Sequence, residues 1–598
     1  MTNIIASPRI RQRTIDDEKY QAAVAAGADE LVAKIAAARD WADAAHTDFH
    51  RQIRPPLSEL DPPERLADLE AGAQRLATAI MSGEQIAIET DFDADGCTSH
   101  AVIQTALVNH FRVPESRVHS FIGHRLQDGY GLSAALVDRM LATAPEIDLV
   151  VTADNGSADE PRIRYMSEMG IDTIVTDHHE IPAEGVPASA FACINPTRTD
   201  CDYPDKLIAG CMVAWLLMTR VRRLLIEYGH LPAESPSLAN LLDYVAVGTV
   251  ADCVSIARSA NNRAVIQAGL QRINAGSRPA WLVARENIAS EGLTLTEVDV
   301  AFGLAPRINA RGRLDGALAG VHYLTSPTIE HAEQWWGVLD AENETRKSIE
   351  REMKAVAMDK AQQAIELGRQ GIAVWLPEGH PGVHGIVASR VVERFGHPTV
   401  CISPVHKSTD RVTGSARGVP GFHVKAAFDH IAAATPDLFE KFGGHEGAGG
   451  LTLQRNRLDE LIIAWDQAVA HQLAGRSEPL APVVWTDGAL QADPSLDVLS
   501  RLDTLRPFGR EFEEPVFEGV FPVLTIKPRG DGSHLYLALG GEDGVLDAIW
   551  FNAVMPGATH WPVQKGRHAR VAYRIDNNRF RGRDRLQLRI VHAESLDD

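Results

Sequence analysis

A chain of 598 residues, 45% of them hydrophobic, is long enough for about four domains and apolar enough to bury ordinary cores. A formal net charge of −21 excludes a sequence-independent coat for DNA, but not a nucleic-acid enzyme with a local basic track. No uninterrupted apolar run reaches the roughly 20 residues that a bilayer requires. The start, M-T-N-I-I-A-S-P-R-I-R-Q-R, lacks the hydrophobic segment of a secretory signal, so a soluble cytoplasmic protein with no membrane contact is expected. Cys97, Cys193, Cys201, Cys211, Cys253 and Cys401 form no C-x-x-C pair, which argues against a zinc ribbon and fits reduced thiols.

Residues 1 to about 75 read as an Ala-rich helical segment, broken at Pro55-Pro56 and Pro62-Pro63, with no recognisable chemistry. Helices and strands then alternate. A helix over Leu66–Met81 leads to a strand at Ile86–Ile88, and a helix follows from Ser99. Ile147–Thr152 predicts a strand, Arg162–Met169 a helix and Ile171–Thr176 another strand. Such repeats imply a parallel sheet with helices on both faces and ligands bound beyond the carboxyl ends of its strands. Residues 327–367 are helical and charged with almost no breakers, and a rod of roughly 60 Å suits a connector between domains. A second α/β region starts at Gly371. It has a strand at Ile372–Leu376, a Gly/His-rich turn through His384 and a helix from Ile386. Strands at Thr399–Ser403 and Val412–Ala416 and a loop, G-G-H-E-G-A-G-G, over 443–450 complete it. Ser477–Pro482 reads as a linker, and the alternating runs beyond it predict a small β-barrel of about 115 residues.

The chemistry gathers on E-T-D-F-D-A-D-G-C-T-S, Glu89–Ser99. Asp91, Asp93 and Asp95 sit at the end of a strand, and Gly96 turns the chain. Like charges this close repel unless a cation lies among them. A calcium-binding helix–loop–helix opens similarly, but counting from Asp91 puts Val102 at the twelfth position, where a bidentate Glu is needed. Three further stations follow: Asp154 in T-A-D-N-G, then Asp177, His178 and His179 in T-D-H-H-E, and Asp252 closing an apolar run in G-T-V-A-D. Alone, an Asp after a strand is ordinarily a cap and a His pair is ordinarily polar surface. Together at one sheet edge they form a donor set for two divalent ions about 3.5–4 Å apart. Mixed carboxylate and imidazole donors suit Mn²⁺, with Mg²⁺ the other candidate. Such a pair lowers the pKa of water and neutralises an in-line phosphoryl transition state, which points to phosphoester or phosphoanhydride hydrolysis.

The motifs D-F-D-A-D-G, A-D-N-G, D-H-H and G-T-V-A-D resemble those of the DHH phosphoesterase superfamily. The likeness narrows to its RecJ branch through I-G-H-R-L-Q-D-G-Y-G-L at 122–132, I-N-P-T-R-T-D-C-D-Y-P at 194–204 and P-R-I-N-A-R-G-R-L at 306–314. G-V-H-G-I-V-A-S-R at 382–390, G-S-A-R at 414–417 and the glycine loop are similar to the DHH-associated domain. H-L-Y-L-A-L at 534–539 and G-R-D-R-L-Q-L-R at 582–589 are similar to the RecJ barrel.

The resemblance implies an α/β architecture behind an N-terminal helical segment, 1–75. A DHH domain with a parallel sheet would span 76–325, a connecting helix 326–368, a second α/β DHH-associated domain 369–476 and an OB-like nucleic-acid-binding β-barrel 480–598. It implies a 5′-to-3′ exonuclease on single-stranded DNA that releases 5′-mononucleotides in repair and recombination. Two Mn²⁺ ions, or Mg²⁺, would serve it. The chain would act as a monomer, with a single-stranded-DNA-binding protein or a helicase as candidate partner. By position, Asp93, Asp95, Asp154, His178 and Asp252 would be metal ligands, Asp154 the bridge. Asp91 would be a ligand or a supporting group, His179 would lie beside the reacting phosphate, and Asp177 would orient His178. Gly444 and His445, with Arg390, Ser415, Arg417 and His384, would bind substrate phosphate. Arg125, Arg307 and Asn309 would position the nucleic acid.

This chain departs from the branch at 507–517. There P-F-G-R-E-F-E-E-P-V-F replaces the common P-F-G-x-G-N-P-x-P-x-F, which puts DNA handling by the connector in question. Glu89 stands where relatives with a wider metal site carry His nearby, and Arg311 stands where a small residue is commoner. Arg574, Arg579, Arg581, Arg583, Arg585 and Arg589, interleaved with Phe580, suit a single-strand track on the barrel or a charge-protected edge strand. A ring of two α/β domains and the barrel would admit one strand but not a duplex. A phosphodiesterase of short oligoribonucleotides or cyclic dinucleotides shares the chemistry but needs no barrel. A family II pyrophosphatase needs none either and has a basic clamp in place of G-G-H. A non-catalytic scaffold would have lost metal ligands that are all present here.

Overall fold

The computed structural model describes residues 7–41, 49–124, 128, 131–289, 293–314, 318–405, 410–555, 557–558, 560–579 and 583–596; for 311–314 it describes the backbone alone. Arg125, Phe580, Arg581 and the side chain of Arg311 therefore lie outside the described residues.

The N-terminal segment is not purely helical. Strand β1 (Arg9–Gln12) precedes helices α1 (Asp17–Ala25) and α2 (Glu30–Ala37). Four residues reading R-I-R-Q carry no strand pattern of their own. They are extended because β12 (Val483–Thr486) offers a parallel edge, Arg9 opposite Val483.

The first α/β domain is built on β2 (Ile86–Thr90), β3 (Val118–Ile122), β4 (Leu149–Ala153), β5 (Asp172–Thr176) and β6 (Ala192–Ile194). All pair in parallel, in the order β3-β2-β4-β5-β6. Both β2 and β4 are buried along their full length, as a sheet covered on both faces requires. The order reverses between β2 and β4, so their carboxyl ends open the crevice where such sheets bind ligands. Helix α3 (Ala94–Thr105) starts earlier than Ser99, because Asp93 caps it through Oδ1 to the Asp95 and Gly96 amides at 2.9 and 3.0 Å. Gly96 thus lies in the first helical turn. A Cβ there would sit 2.1 Å from the Asp91 carbonyl oxygen, and that contact is what demands glycine.

Helices α4 (Gly210–Glu227), α5 (Leu242–Ala251) and α6 (Ala305–Leu314) complete this domain. Helix α7 (Ile329–Glu366) runs 38 residues, about 57 Å. It is more than a connector: Ala332, Trp336 and Leu339 belong to the first domain's core, and Met353, Ala357 and Ala361 to the second's.

The second domain is a mixed sheet, β10-β11-β9-β8-β7, with only β7 (Ile372–Trp375) and β8 (Thr399–Pro404) parallel. Helix α8 (His384–Phe395) packs on β8 and on β9 (Arg411–Arg417). The glycine-rich loop is a hairpin, β10 (Lys441–Gly444) against β11 (Ala448–Gln454). At the C-terminus β13 (Phe517–Arg529), β14 (His534–Gly540), β15 (Val545–Trp550), β16 (His568–Asn577) and β17 (Leu586–Ser595) close a barrel in the order β13-β14-β15-β17-β16. Val32, Ile35, Trp41 and Phe49 share the barrel-side core with Leu505, Phe512 and Tyr573, so the N-terminal segment is part of the barrel's hydrophobic unit. Among the described residues no helix is long and apolar enough to cross a membrane.

Candidate metal centre

Each acidic station is anchored by the same device. The sheet ladder runs one residue past the strands: Asp91 N–H donates to Ala153 O at 3.3 Å, Asp154 N–H to Thr176 O at 2.9 Å and Asp177 N–H to Ile194 O at 3.1 Å. The side chains then project from the carboxyl ends of β2, β4 and β5. Asp154 takes a left-handed backbone, φ 64°, which Asp tolerates better than most residues. Asp252 caps the C-terminus of α5 and comes in from the helical side.

Asp95 is held by the N-terminus of α4, its Oδ2 accepting from Gly210 N–H at 2.7 Å and its Oδ1 from Cys211 N–H at 3.0 Å. Gly248, the glycine of G-T-V-A-D, lets α5 approach. A Cβ there would lie 2.3 Å from Thr98 Oγ1 and 2.6 Å from Asp95 Oδ1.

The donors converge. His178 Nε2 lies 3.1 Å from Asp154 Oδ1, 3.6 Å from Asp252 Oδ2 and 3.9 Å from Asp95 Oδ2. Three groups each bring their ligand atoms within 4.8 Å of one another: Asp154–His178–His179, Asp95–His178–Asp252 and Asp91–Asp93–Asp154. Asp154 and His178 are each shared by two of them, and of the two only a carboxylate has a second oxygen to offer a second ion. Burial, then Asp95, Asp93, Asp91 and Asp252, push the Asp154 carboxyl well above its usual range. Burial, then Asp95 and Asp93, raise Asp252 well up, and burial raises Asp95. Burial lowers the His178 imidazole against the pull of Asp95. That Nε2 is buried and makes no hydrogen bond. A buried imidazole nitrogen with no hydrogen bond, aimed into carboxylates that cannot all ionise together, fits hard divalent cations.

Asp177 serves a different residue than expected. Its Oδ1 accepts from the His178 and His179 amides at 2.7 and 3.1 Å and lies 2.8 Å from His179 Nδ1, while Oδ2 accepts from Ser157 N–H at 3.0 Å. It therefore orients the His179 ring, not His178, because a side chain two residues back in a tight turn reaches Nδ1 of the second histidine. Burial works against the His179 imidazolium, but the hydrogen bond and charge of Asp177 raise it to about 9. Burial also works against the Asp177 carboxylate, and His179 brings it well below its usual range. Asn195 and Thr197, quoted within a motif but given no role by the sequence, hold the His179 carbonyl at 2.9 Å each. Glu89 is buried beneath the site, with Asn155 Nδ2 donating to its Oε1 at 3.2 Å.

Several expected substrate residues occupy supporting positions. Asn309 Oδ1 accepts from Ala94 N–H at 2.7 Å, tying α6 to the first turn of α3. Arg307 pairs with Asp340 at 2.8 Å, donates to Gly303 O and stacks over Trp336. His384 is buried with Nε2 2.8 Å from Ser403 Oγ. In the second domain Ser415 and Arg417 share one face of β9. Gly418 N–H donates to Gly447 O at 3.0 Å and keeps that strand end beside the hairpin tip. Gly444 ends β10, and His445 Nδ1 comes within 3.5 Å of Glu180 Oε2, the residue after D-H-H, so the two domains face each other across the site. Arg390 is half exposed, beside Glu393 at 2.8 Å and Glu350 at 3.7 Å. On the barrel, Arg574 and Arg589 are opposite one another on β16 and β17, and both bind Glu514, at 3.0 and 2.7 Å. Arg579 lies 3.7 Å from Asp584, and Arg583 and Arg585 are exposed.

Residues 85–249 match the DHH family, N-terminal domain, residues 368–471 the DHHA1 domain, and residues 486–592 the RecJ OB domain. The single-stranded-DNA-specific exonuclease RecJ of Salmonella typhimurium is 36% identical over 90% of this chain and 92% of its own. A crystal structure of RecJ with Mn²⁺ from Thermus thermophilus superposes with a TM-score of 0.76 at 24% identity, covering 100% of this chain and 81% of that one. Another, of exonuclease RecJ bound to manganese, gives a TM-score of 0.56 at 29% identity, covering 69% of this chain and 96% of that one. From the metal-ligand stations to the barrel, the chain belongs to the RecJ family.

Proposed function

We propose that the protein is a metal-dependent 5′-to-3′ exonuclease that hydrolyses single-stranded DNA to 5′-mononucleotides in repair and recombination. The observation that carries this reading is the set of overlapping donor groups at the carboxyl ends of β2, β4 and β5, faced by the glycine-rich hairpin of the second domain. Two ions, Mn²⁺ by the donor chemistry and by the relatives' structures, supply Lewis acidity to the phosphoryl oxygens and to the attacking water. Asp93, Asp95, Asp154, His178 and Asp252 would hold them, with Asp91 a further ligand or a group just behind them.

His179 donates Nδ1–H to Asp177 and, cationic below about 9, offers its Nε2–H to the phosphate whose P–O3′ bond breaks. Water adds to phosphorus, the 3′ oxygen leaves and takes up a proton, and the first nucleotide departs with its 5′ phosphate. Ser415, Arg417, Arg390 and His445 bind that phosphate and so fix the direction of attack. The closed β-barrel, an architecture that holds single strands in other proteins, takes the trailing strand. Free cysteines, buried except for Cys253, suit the reducing cytoplasm.

The test is a single-stranded DNA oligomer labelled in turn at each end, given Mn²⁺ with a chelator control. A 5′ label released at once as mononucleotide and a 3′ label forming a descending ladder are expected. No cleavage of DNA, with turnover of a dinucleotide or cyclic dinucleotide, would overturn the reading.

A further inference from the structure

The segment 507–517, where this chain departs from its relatives, folds back on the metal centre. Gly509 N–H donates to Phe512 O at 2.9 Å and Phe512 N–H to Gly509 O at 3.1 Å, closing a tight turn with Arg510 and Glu511 at its tip. Glu511 has φ 65°, a left-handed backbone that costs a residue with a side chain about 1 kcal/mol relative to glycine. Glycine is the residue common there in the RecJ branch. A glutamate kept against this backbone preference must gain through its side chain.

That side chain reaches the first α/β domain. Glu511 Oε2 accepts from Arg258 Nε at 2.8 Å and Oε1 from Arg258 Nη2 at 2.8 Å, a bidentate pair, and the Ser255 hydroxyl donates to Oε2 as well. The Arg510 carbonyl accepts from Ile256 N–H at 3.2 Å. The turn therefore grips Ser255, Ile256 and Arg258, the chain just after Asp252. Within α5, Asp252 has only its own N–H anchored, to Gly248 O at 2.9 Å. Beyond it Cys253 swings through a left-handed backbone, φ 57°, and the chain leaves the helix. Where the Asp252 carboxylate points thus depends on where 253–256 is held. Asn262 Nδ2 holds it from one side, through the Ser255 carbonyl at 3.0 Å, and the connector turn holds it from the other.

We propose that Glu511 is a positioning residue for the metal ligand Asp252, acting through Ser255 and Arg258, so that the barrel connector is a structural part of the metal centre. The proposal rests on Asp252 being a ligand, as read above. It also gives the altered connector a role: its acidic side chain replaces a flexible glycine turn with a brace.

The test is calorimetric titration of the metal-free full chain with Mn²⁺ alone, for wild type, Glu511→Gln, Glu511→Gly and Glu513→Gln. Loss of a supporting contact to a ligand typically weakens metal binding about tenfold or more. Glu511→Gln and Glu511→Gly are expected to weaken one Mn²⁺ site by about tenfold, and Glu513→Gln to leave both sites unchanged. Glu511→Gly relaxes the left-handed turn, so its melting temperature should hold even if the Gln variant folds poorly, which separates positioning from stability. The half-saturating Mn²⁺ concentration for hydrolysis should rise in parallel while the KM for DNA does not. Wild-type Mn²⁺ affinity in both Glu511 variants would overturn the brace and leave the exonuclease reading intact. A wild-type chain that binds no Mn²⁺ would overturn that reading and the brace with it.

Discussion

Asp154 is the residue on which the site turns, since two donor groups share it and its carboxyl is pushed up by burial and by its acidic neighbours. Asn in its place keeps the shape and tolerates the left-handed backbone. Asp154→Asn is expected to cut hydrolysis on the order of a thousandfold. It should leave the metal-free protein at least as stable as wild type and shrink the rise in melting temperature that Mn²⁺ confers, all readable by nuclease assay and thermal scans with and without chelator. His100 gives a separate, pH-dependent expectation. It is buried between Thr90 and Ser120, and burial, then the charge of His322, lower it to about 3. Its folded value lies below its unfolded one, so the unfolded chain takes up the proton first. The stability it contributes is complete above pH 6.5 and is lost as pH falls toward about 3, on the order of 5 kcal/mol in all. Denaturant titrations from pH 7 to pH 4 should show a shallower acid limb for His100→Gln than for wild type. The acidic stations were legible in the sequence because each follows an apolar run at once. The partner of Asp177 was not, because which histidine a turn presents depends on backbone angles that no spacing encodes.

At the scale of elements, the site exists because helices come unusually close. Gly248 lets α5 lie against α3, and Asn309 ties α6 to the start of α3. Gly248→Ala forces a methyl into the space of Thr98 and Asp95 and should cost about 1–3 kcal/mol, as overpacking does. It should weaken Mn²⁺ binding at the same time, because Asp95 is what the methyl would displace. Asn309→Ala should cost about 1 kcal/mol, as loss of a helix cap does, with a fall in hydrolysis but little change in KM. Strands β2, β4 and β5 of the first sheet could be read from their apolar runs to within a few residues, whereas β3, V-H-S-F-I, and β6, only three residues long, carry no such run. The start of α3 could not, since D-F-D-A-D-G looks like a turn until Asp93 is seen to cap it. The long helix was legible in length and charge. Its burial in two cores was not, because Trp336 and Ala357 become core only when both domains have folded around it.

At the scale of the molecule, the two ends of the chain are one unit. Arg39 and Asp487 form an ion pair at 2.6 Å with side chains 0% and 3% exposed, and β1 pairs with β12 across some 470 residues of intervening chain. Contacts of that separation leave no trace in local pattern, which is why the N-terminal residues read as helix without purpose. Breaking a buried pair from one side costs about 3–5 kcal/mol. Arg39→Ala should therefore loosen the barrel and the N-terminal segment together, seen as an early unfolding transition or as proteolysis near β12. The same long-range pairing explains Arg574 and Arg589. In the sequence they suit a single-strand track or a charge-protected edge strand, and in the fold Glu514 from the altered connector pairs with both, which leaves one positive charge in excess.

The central claim is that Asp154 bridges two ions among the donors at the ends of β2, β4 and β5. Crystals of the full chain grown with Mn²⁺ and measured at the manganese absorption edge test it most directly. Two anomalous peaks about 3.5–4 Å apart with the Asp154 carboxylate between them are expected. A single peak, or peaks that leave Asp154 uncoordinated, would contradict the account.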